Sequence, residues 1–528
     1  MARSIAPDYG QQFLLPQAVE DWVGAEHPVR FLREFVDSLD LGAMGFAMPT
    51  ELEGRPGYHP SLLLKIWLYG YYYRIRATRK LEQACAEVLP LMWLAGTLKP
   101  DHNSLWRFWD ANKKPLREVF KQTVQVAVGT GAVGLALQAV DGTKIEAVAS
   151  GYSGWSKEQM EKLLAALDRA ADENELKVME ANQGPEVSGP ELPAGMAQRQ
   201  ALRKQIEQGL AQLALDKRKH YHRIEPEARR MEVSGRNRYA YNAQAVVDAK
   251  EGIVVACDVT RKETDQGQLG PMLEQAHENV SSAAHGAQAH TLTLADGGYG
   301  AGADLQVAAQ QENAVLAPPA EGKPAGDNPY AAQHFKYDAS AGTVTCPQAK
   351  SLDYEGQTIK DGVPVNRYRC HHRDCPVRAL CSKDRKGRQI EVRPHTPVVQ
   401  AMRQKLEQPH HAATYDLRSG IIEPRFAQIK HHDGFRRWTV WGLEAVQTQW
   451  ALLCTTLNLR IVYNYWRKNR SGAPTTSKAV ALPAWAVKFA RQLVLCTLQL
   501  LGVIRPRIYA RRLRGAKFFC PVPSGQYF

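Results

Sequence analysis

The chain has 528 residues and a formal net charge of +13, with 44% hydrophobic and 23% charged residues. This length exceeds what a single hydrophobic core usually organises, so two or more domains are expected. The composition is that of a globular protein and excludes a fibrous or disordered chain. The basic excess favours a polyanionic partner, although charge alone is weak evidence for nucleic acid binding.

The apolar runs contain no targeting segment. The N-terminal MARSIAPDYGQQF lacks the apolar stretch of a secretory signal. The longest apolar run, residues 492–504, is too short to cross a bilayer and fits a buried helix. We therefore expect a cytoplasmic protein that makes no use of a membrane.

Residues 1–130 are predicted to form an all-α domain. Pro60 is placed to begin a helix, and Asp101 or Asn103 is a suitable N-cap for a later one. Three basic residues follow a run of tyrosines: Arg74, Arg76 and Arg79. They form either a solvated basic face above an aromatic core or a surface that contacts DNA.

The pattern changes from helical to strand periodicity near residue 136. Residues 135–147 and 290–296 each indicate one strand, and residues 238–260 indicate two strands joined by a turn. A helix is predicted over residues 265–280. This order predicts a mixed sheet with helices packed on it.

Two insertions interrupt this core. Residues 156–223 contain two helical runs and are predicted to form a helical hairpin, in which Leu202, Ile206, Leu210 and Leu213 share a face. Residues 318–411 contain a cysteine cluster. The core is then completed by residues 412–470, and residues 471–528 form a basic tail.

Three acidic residues each follow an apolar run: Asp141, Asp296 and Glu423. An aspartate before glycine is commonly a turn former, so each residue alone is a weak signal. If the first and fourth strands are neighbours, Asp141 and Asp296 meet at one position of the sheet. Carboxylates from separate elements can hold two Mg²⁺ ions, which activate a nucleophile and stabilise the leaving oxygen in phosphodiester cleavage.

Glu423 precedes Pro424, and proline is favoured in the first turn of a helix. We therefore expect a helix to begin here, with Glu423 at its positive end and Arg418 in the loop ahead of it. Lys430, seven residues on, would return to nearly the same face and reach a phosphate.

The segments DGTKIEA, ADGGYG and YDLRSGIIEPRFAQIK resemble the three acidic blocks of insertion-sequence DDE transposases, in the subgroup with a Tyr-Arg-Glu-Lys signature. HPVRFLREFVDSLDL and RPGYHPSLLLKIWLYGYYYRIRATRKLEQACAE resemble the N-terminal helical domain of these proteins. The resemblance covers most of residues 9–465. One departure is that four residues separate Arg418 from Glu423, where the usual signature has three.

The resemblance implies an α+β multidomain protein with an RNase H-like mixed-sheet core in residues 131–155 and 224–317. It implies Asp141, Asp296 and Glu423 as catalytic ligands of Mg²⁺ or Mn²⁺. It also implies Tyr415, Arg418 and Lys430 as contacts to the transposon end. Double-stranded DNA, both transposon ends and target, would be the partner, and a homodimer in the nucleoid of a prokaryote would hold two ends together.

The nine cysteines divide into a cluster and five scattered residues. Cys346, Cys370, Cys375 and Cys381 could hold a structural Zn²⁺ in a segment with a small core, or could remain reduced thiols. The scattered cysteines are expected to be inert: Cys85, Cys257, Cys454, Cys496 and Cys520.

The function expected is a DNA transposase that cleaves transposon ends and joins them to target DNA. Two alternatives stay open: a metal-dependent endonuclease on the same fold, which would cleave without joining, and a catalytically silent DNA-binding protein descended from a transposase.

Overall fold

The computed structural model describes residues 18–48, 57–149, 153–181, 194–281, 290–311, 314–320 and 328–469. The predicted basic tail, the apolar run 492–504, Cys496 and Cys520 lie outside these residues. No helix in the described ranges is long and apolar enough to cross a bilayer.

The helices follow one another in chain order as α1 (Pro28–Asp37), α2 (Pro60–Tyr72), α3 (Thr78–Glu87), α4 (Leu89–Leu94), α5 (His102–Ala111), α6 (Lys113–Gly129), α7 (Lys157–Ala181), α8 (Ala194–Leu215), α9 (Leu269–Ser281), α10 (Gly302–Gln310), α11 (Arg378–Cys381), α12 (Thr396–Leu406), α13 (Pro409–Ala427) and α14 (Leu443–Asn469). Short 3₁₀ turns occupy Val19–Trp22, Gly297–Tyr299 and Ala332–His334, and a π-helical turn occupies Gln428–His432.

The strands, also in chain order, are β1 (Leu137–Glu146), β2 (Gly154–Ser156), β3 (His220–His222), β4 (Arg229–Val233), β5 (Arg236–Asp248), β6 (Val254–Thr260), β7 (Leu292–Ala295), β8 (Val315–Leu316), β9 (Lys336–Asp338), β10 (Thr343–Thr345), β11 (Ser351–Lys360), β12 (Val363–Arg369) and β13 (Gln389–Val392).

The N-terminal helices form as their capping residues predict. Asp101 caps α5, because its Oδ1 accepts the backbone N–H groups of Asn103 and Ser104 at 2.9 Å each. Pro60 is the first residue of α2. Leu105 and Trp109 of α5 are buried.

The central sheet has the strand order β6-β5-β1-β7-β8, and β4 pairs with the first residues of β5. Strands β1, β7 and β8 are parallel, whereas β5 and β6 run antiparallel to their neighbours. The predicted strands β1, β5, β6 and β7 are confirmed. The short strands β4 and β8 were not predicted.

Helix α14 joins the sheet to the N-terminal helices. It packs against β6 on one side and against α2 and α6 on the other. Trp450 Nε1 donates to the Gln244 carbonyl at 2.9 Å, and Asn458 bonds both backbone groups of Val254. One continuous hydrophobic core therefore extends across the predicted boundary near residue 130.

Two segments predicted as insertions, residues 156–223 and 318–411, have separate small cores in their described parts. In the first, α7 packs against α8, and Ile206 and Leu213 are buried beside Met160, as the predicted helical hairpin requires. Strands β9–β13 form a second sheet, of order β13-β12-β11-β10-β9, and no strands were predicted there from the sequence. Strand β11 explains the omission, because only Leu352 among its ten residues is buried and no alternation marks it.

The expectation that a helix begins at Glu423 is wrong. Helix α13 begins at Pro409 and contains Pro424 in its interior, so Glu423 is not at a helix N-terminus and Arg418 is helical. Proline removes one backbone donor, and the carbonyl left without it belongs to Gly420, which is exposed to water. Lys430 falls in the π-helical turn, so its spacing from Glu423 is no longer that of an α-helix.

Candidate active site

Asp141 and Asp296 are adjacent because β1 and β7 are parallel neighbours. Val140 is in register with Ala295, and the next residue on each strand is the aspartate. Asp141 accepts the N–H of Gly142 at 2.7 Å, and Asp296 caps the following 3₁₀ turn by accepting the N–H of Gly298 at 2.9 Å. The predicted meeting of the two strands is confirmed.

The two carboxylates repel each other at this position. Burial, and then the charge of Asp296, raise the pKa of Asp141 to about 6. The Gly142 N–H and Arg418 oppose this rise without cancelling it. The pair therefore has a negative charge that a bound cation would relieve.

Helix α13 brings positive charge to the pair. Arg418 Nη1 lies 3.0 Å from Asp141 Oδ2, and both side chains are largely buried. Tyr415, one turn earlier, hydrogen-bonds Arg418 through its side chain. Two of the residues assigned to the transposon end are thus in contact with each other beside the aspartates.

Lys430 contacts β1 three residues beyond Asp141. Its Nζ donates to the Lys144 carbonyl at 3.3 Å. Burial, and then Arg436, lower the pKa of Lys430, while Asp141 is close enough to oppose them. Lys430 is therefore near the pair without an ion pair to it.

Glu423 is not brought to the aspartates. It is exposed on α13, and no contact between it and Asp141 or Asp296 is present in the described part of the chain. Nor, within those residues, are three His, Cys, Asp or Glu side chains arranged around one metal position. The structure supplies two carboxylates, which is the number that Mg²⁺ commonly takes from a protein.

A polar network on β5 and the loop after β6 was not predicted from the sequence. Asp265 Oδ1 accepts from Asn242 Nδ2 at 2.7 Å and from Gln244 Nε2 at 2.8 Å, and the Tyr299 hydroxyl donates to Gln244 Oε1. Asn242 and Gln244 are fully buried. Two amides at alternate positions of an otherwise apolar strand were the available signal, since buried polar groups need partners.

The basic residues after α2 mainly serve the fold. Arg74 lies 3.3 Å from Asp433, and Arg76 donates to the Asp433 carbonyl at 2.7 Å. Arg460 of α14 also pairs with Asp433. Arg79 is exposed. The structure therefore shows the roles of Arg74 and Arg76 in joining N-terminal and C-terminal segments, and their contact with DNA stays a prediction.

The four clustered cysteines surround one end of the β9–β13 sheet. Cys346, Cys370 and Cys381 pack against its small core, and the backbone N–H of Lys350 donates to Cys346 Sγ at 3.3 Å. Burial, opposed by Arg388, and then the other three thiols raise the pKa of Cys381. The thiols are thus neighbours, although no three of them converge as metal ligands.

Two regions of the chain match known protein families. Residues 17–111 match a family described as "Transposase domain (DUF772)", and residues 345–462 match a family described as "Transposase DDE domain". The second match includes Arg418, Glu423 and Lys430, whereas Asp141 and Asp296 lie outside both. No curated protein matches the chain. The resemblance to insertion-sequence DDE transposases is therefore confirmed, while the Tyr-Arg-Glu-Lys subgroup stays a prediction.

Proposed function

We propose that the chain is a DNA transposase that binds the terminal inverted repeats of its element and catalyses metal-dependent cleavage and strand transfer. The observation that carries this proposal is the position of Asp141 beside Asp296 on adjacent parallel strands. The two transposase family matches support DNA transposition as the process.

The catalytic core is proposed to be RNase H-like. Its support is the sheet order β6-β5-β1-β7-β8, with β1, β7 and β8 parallel and β5 and β6 antiparallel. In this arrangement the first and fourth strands of the fold are neighbours, so each can supply one carboxylate to the same place.

Asp141 and Asp296 would hold a divalent cation, Mg²⁺ or Mn²⁺, and their chemistry fits it. Both are oxygen ligands, and their mutual repulsion favours a cation between them. A bound divalent cation makes water or a DNA 3′-hydroxyl nucleophilic and stabilises the leaving oxygen. Arg418, which forms an ion pair with Asp141 in this structure, would then be free to bind a DNA phosphate.

Helix α13 would complete the site from the DNA side. Glu423 is proposed as the third carboxylate, since it is exposed on the helix that Arg418 attaches to β1. Tyr415 and Lys430 would contact the phosphates of the transposon end, because both lie within electrostatic range of Asp141. A dimer holding two ends is proposed by analogy with transposases.

The zinc site is proposed for the cysteine cluster, because thiolates are suitable Zn²⁺ ligands. Cys346, Cys370 and Cys381 pack against one small core, and Cys375 is close enough to Cys381 to raise its pKa. Elemental analysis of protein purified in metal-free buffer should find one zinc per chain. Cys381→Ser should lose it, whereas Cys85→Ala, a change in the N-terminal helices, should keep it. Wild-type protein without zinc would contradict this assignment.

The function is tested by incubating the purified protein with duplexes that carry the inverted repeats flanking its gene, a target plasmid and Mg²⁺. Wild type should cut at the 3′ ends and join them to the plasmid. Asp141→Asn and Asp296→Asn should lose roughly 100- to 1,000-fold or more of cleavage, as when a group stabilising transition-state charge is removed. Cleavage without joining would indicate an endonuclease, and normal cleavage by Asp141→Asn would reject the mechanism.

A further inference from the structure

Asp265 lies in the loop between β6 and α9, outside all three predicted acidic blocks, yet its carboxylate lies against glycines that follow the two aspartates in sequence. The residues that follow the two aspartates leave space for it. A Cβ added to Gly142 would overlap Asp265 Oδ1 and would lie 2.5 Å from Gln244 Nε2. A Cβ added to Gly298 would lie 2.9 Å from Asp296 Oδ1 and 3.1 Å from Asp265 Oδ2. Asp265 therefore contacts the backbone just after both aspartates.

Two buried amides hold Asp265 in this position. The donors are Asn242 Nδ2 and Gln244 Nε2, on alternate residues of β5. Gln244 is fixed in turn by the hydroxyl of Tyr299. The orientation of Asp265 is thus set by side chains of the rigid central sheet, although Asp265 itself is in a loop.

Carboxylate oxygens of Asp265 and Asp296 lie together beside Gly298. Asn242 Oδ1, which is fully buried and 2.9 Å from a Cβ on Gly142, has no hydrogen-bond donor among the described residues. This region therefore has more hydrogen-bond acceptors than donors, and such an arrangement favours a positive charge nearby.

A smaller role for Asp265 would be to shape its own loop. That role is already filled by Asp304, whose Oδ2 accepts the N–H of Gly267 at 2.8 Å. Asp265 accepts from the strand beneath the site, and its placement is therefore tied to the aspartate pair.

We propose that Asp265 is a positioning residue of the active site, whose fixed charge, set against Gly142 and Gly298, strengthens the binding of a divalent cation by Asp141 and Asp296. The inference rests on the proposed function, because it assumes that this pair binds the cation. Groups that surround metal ligands without binding the metal typically change its affinity by roughly 10- to 100-fold.

The test is Mn²⁺ binding to the DNA-free, full-length protein, followed by electron paramagnetic resonance. Asp265→Asn keeps the shape and removes the charge, and we expect its Kd for Mn²⁺ to rise by roughly 10- to 100-fold. Cleavage of end duplexes should require correspondingly more Mg²⁺, while the rate at saturating Mg²⁺ stays within about threefold of wild type, because Asp265 touches no reacting atom.

The matched control is Glu225→Gln. Glu225 is a buried carboxylate near the far end of β1, where it accepts from the Ala149 N–H and the Tyr241 hydroxyl. This variant should bind Mn²⁺ as wild type does. If Asp265→Asn does not fold, as judged by circular dichroism, the smaller Asp265→Ser takes its place with the same expected rise.

An unchanged Kd in the folded Asp265 variant, with Asp141→Asn losing Mn²⁺ binding, would overturn this inference and leave the proposed function intact. If Glu225→Gln raises the Kd for Mn²⁺ as much as Asp265→Asn does, the inference is also overturned, because both changes would then act through general stability. If wild type and Asp141→Asn both fail to bind Mn²⁺, the proposed function fails first, and the inference fails with it.

Discussion

Asp433 and Asp141 are both largely buried aspartates, and their surroundings are opposite. Burial alone would raise the pKa of Asp433, but Arg460, then His432 and Arg74, outweigh it and hold this pKa below its ordinary value. Burial, and then the second aspartate beside it, raise the pKa of Asp141, and its cationic partner Arg418 does not cancel them. The first carboxylate is neutralised by the fold, whereas the second is left with excess charge for a ligand from outside.

The largest effect that would test this comparison is expected at Asp433. Asp433→Asn removes the shared partner of Arg460 and Arg74, and it leaves these guanidinium groups partly buried without their carboxylate. We expect a loss of about 3–5 kcal/mol in the free energy of unfolding, the range for breaking a buried ion pair. Urea unfolding at pH 7.5 measures it. A loss under about 1 kcal/mol would show that the Asp433 ion pairs stabilise the protein no more than surface ion pairs do.

For Asp141 we expect substitution to raise the free energy of unfolding, in contrast to Asp433. Its pKa in the folded protein, about 6, lies above its ordinary value of 3.8, so ionisation of Asp141 costs folding stability as the pH rises through about 6. Asp141→Asn should therefore stabilise the protein in EDTA at pH 8 by about 1–3 kcal/mol. The gain should vanish below pH 3.8, where the carboxyl is protonated in both states. Destabilisation at pH 8 would show that Arg418 already satisfies Asp141.

A smaller effect is expected on the acid dependence of the stability that Asp433 contributes. The pKa of Asp433 is lowered from 3.8, so its stabilisation is complete above that value and is lost as the pH falls through the lower folded-state pKa. The stability difference between wild type and Asp433→Asn should be constant from pH 5 to 7 and shrink below 3.8. Parallel urea titrations across this range measure it, and a difference that grew in acid would contradict the assignment.

The same contrast separates what the sequence could predict from what it could not. The strands β1, β5, β6 and β7 follow from alternation and turn residues, and the parallel pairing of β1 with β7 then places Asp141 beside Asp296. The local sequence pattern was sufficient to predict this position, because the register of paired strands determines which residues are neighbours.

Helix α13 and the Asp265 loop could not be predicted in this way. Pro424 indicates a helix start locally, but α13 continues through it, and Gly420, four residues earlier, is exposed. Asp265 is recognisable only through Asn242 and Gln244, which are distant in sequence and meet it in the folded sheet. The Asp433 cluster likewise depends on residues from both ends of the chain.

The most direct measurement of the central claim is anomalous X-ray scattering from crystals of the protein bound to its end DNA and soaked in Mn²⁺. We expect a manganese peak within coordination distance of carboxylate oxygens from both Asp141 and Asp296, with Arg418 displaced from Asp141. A DNA-bound crystal in which manganese occupies other positions, and the Arg418 ion pair persists, would contradict it.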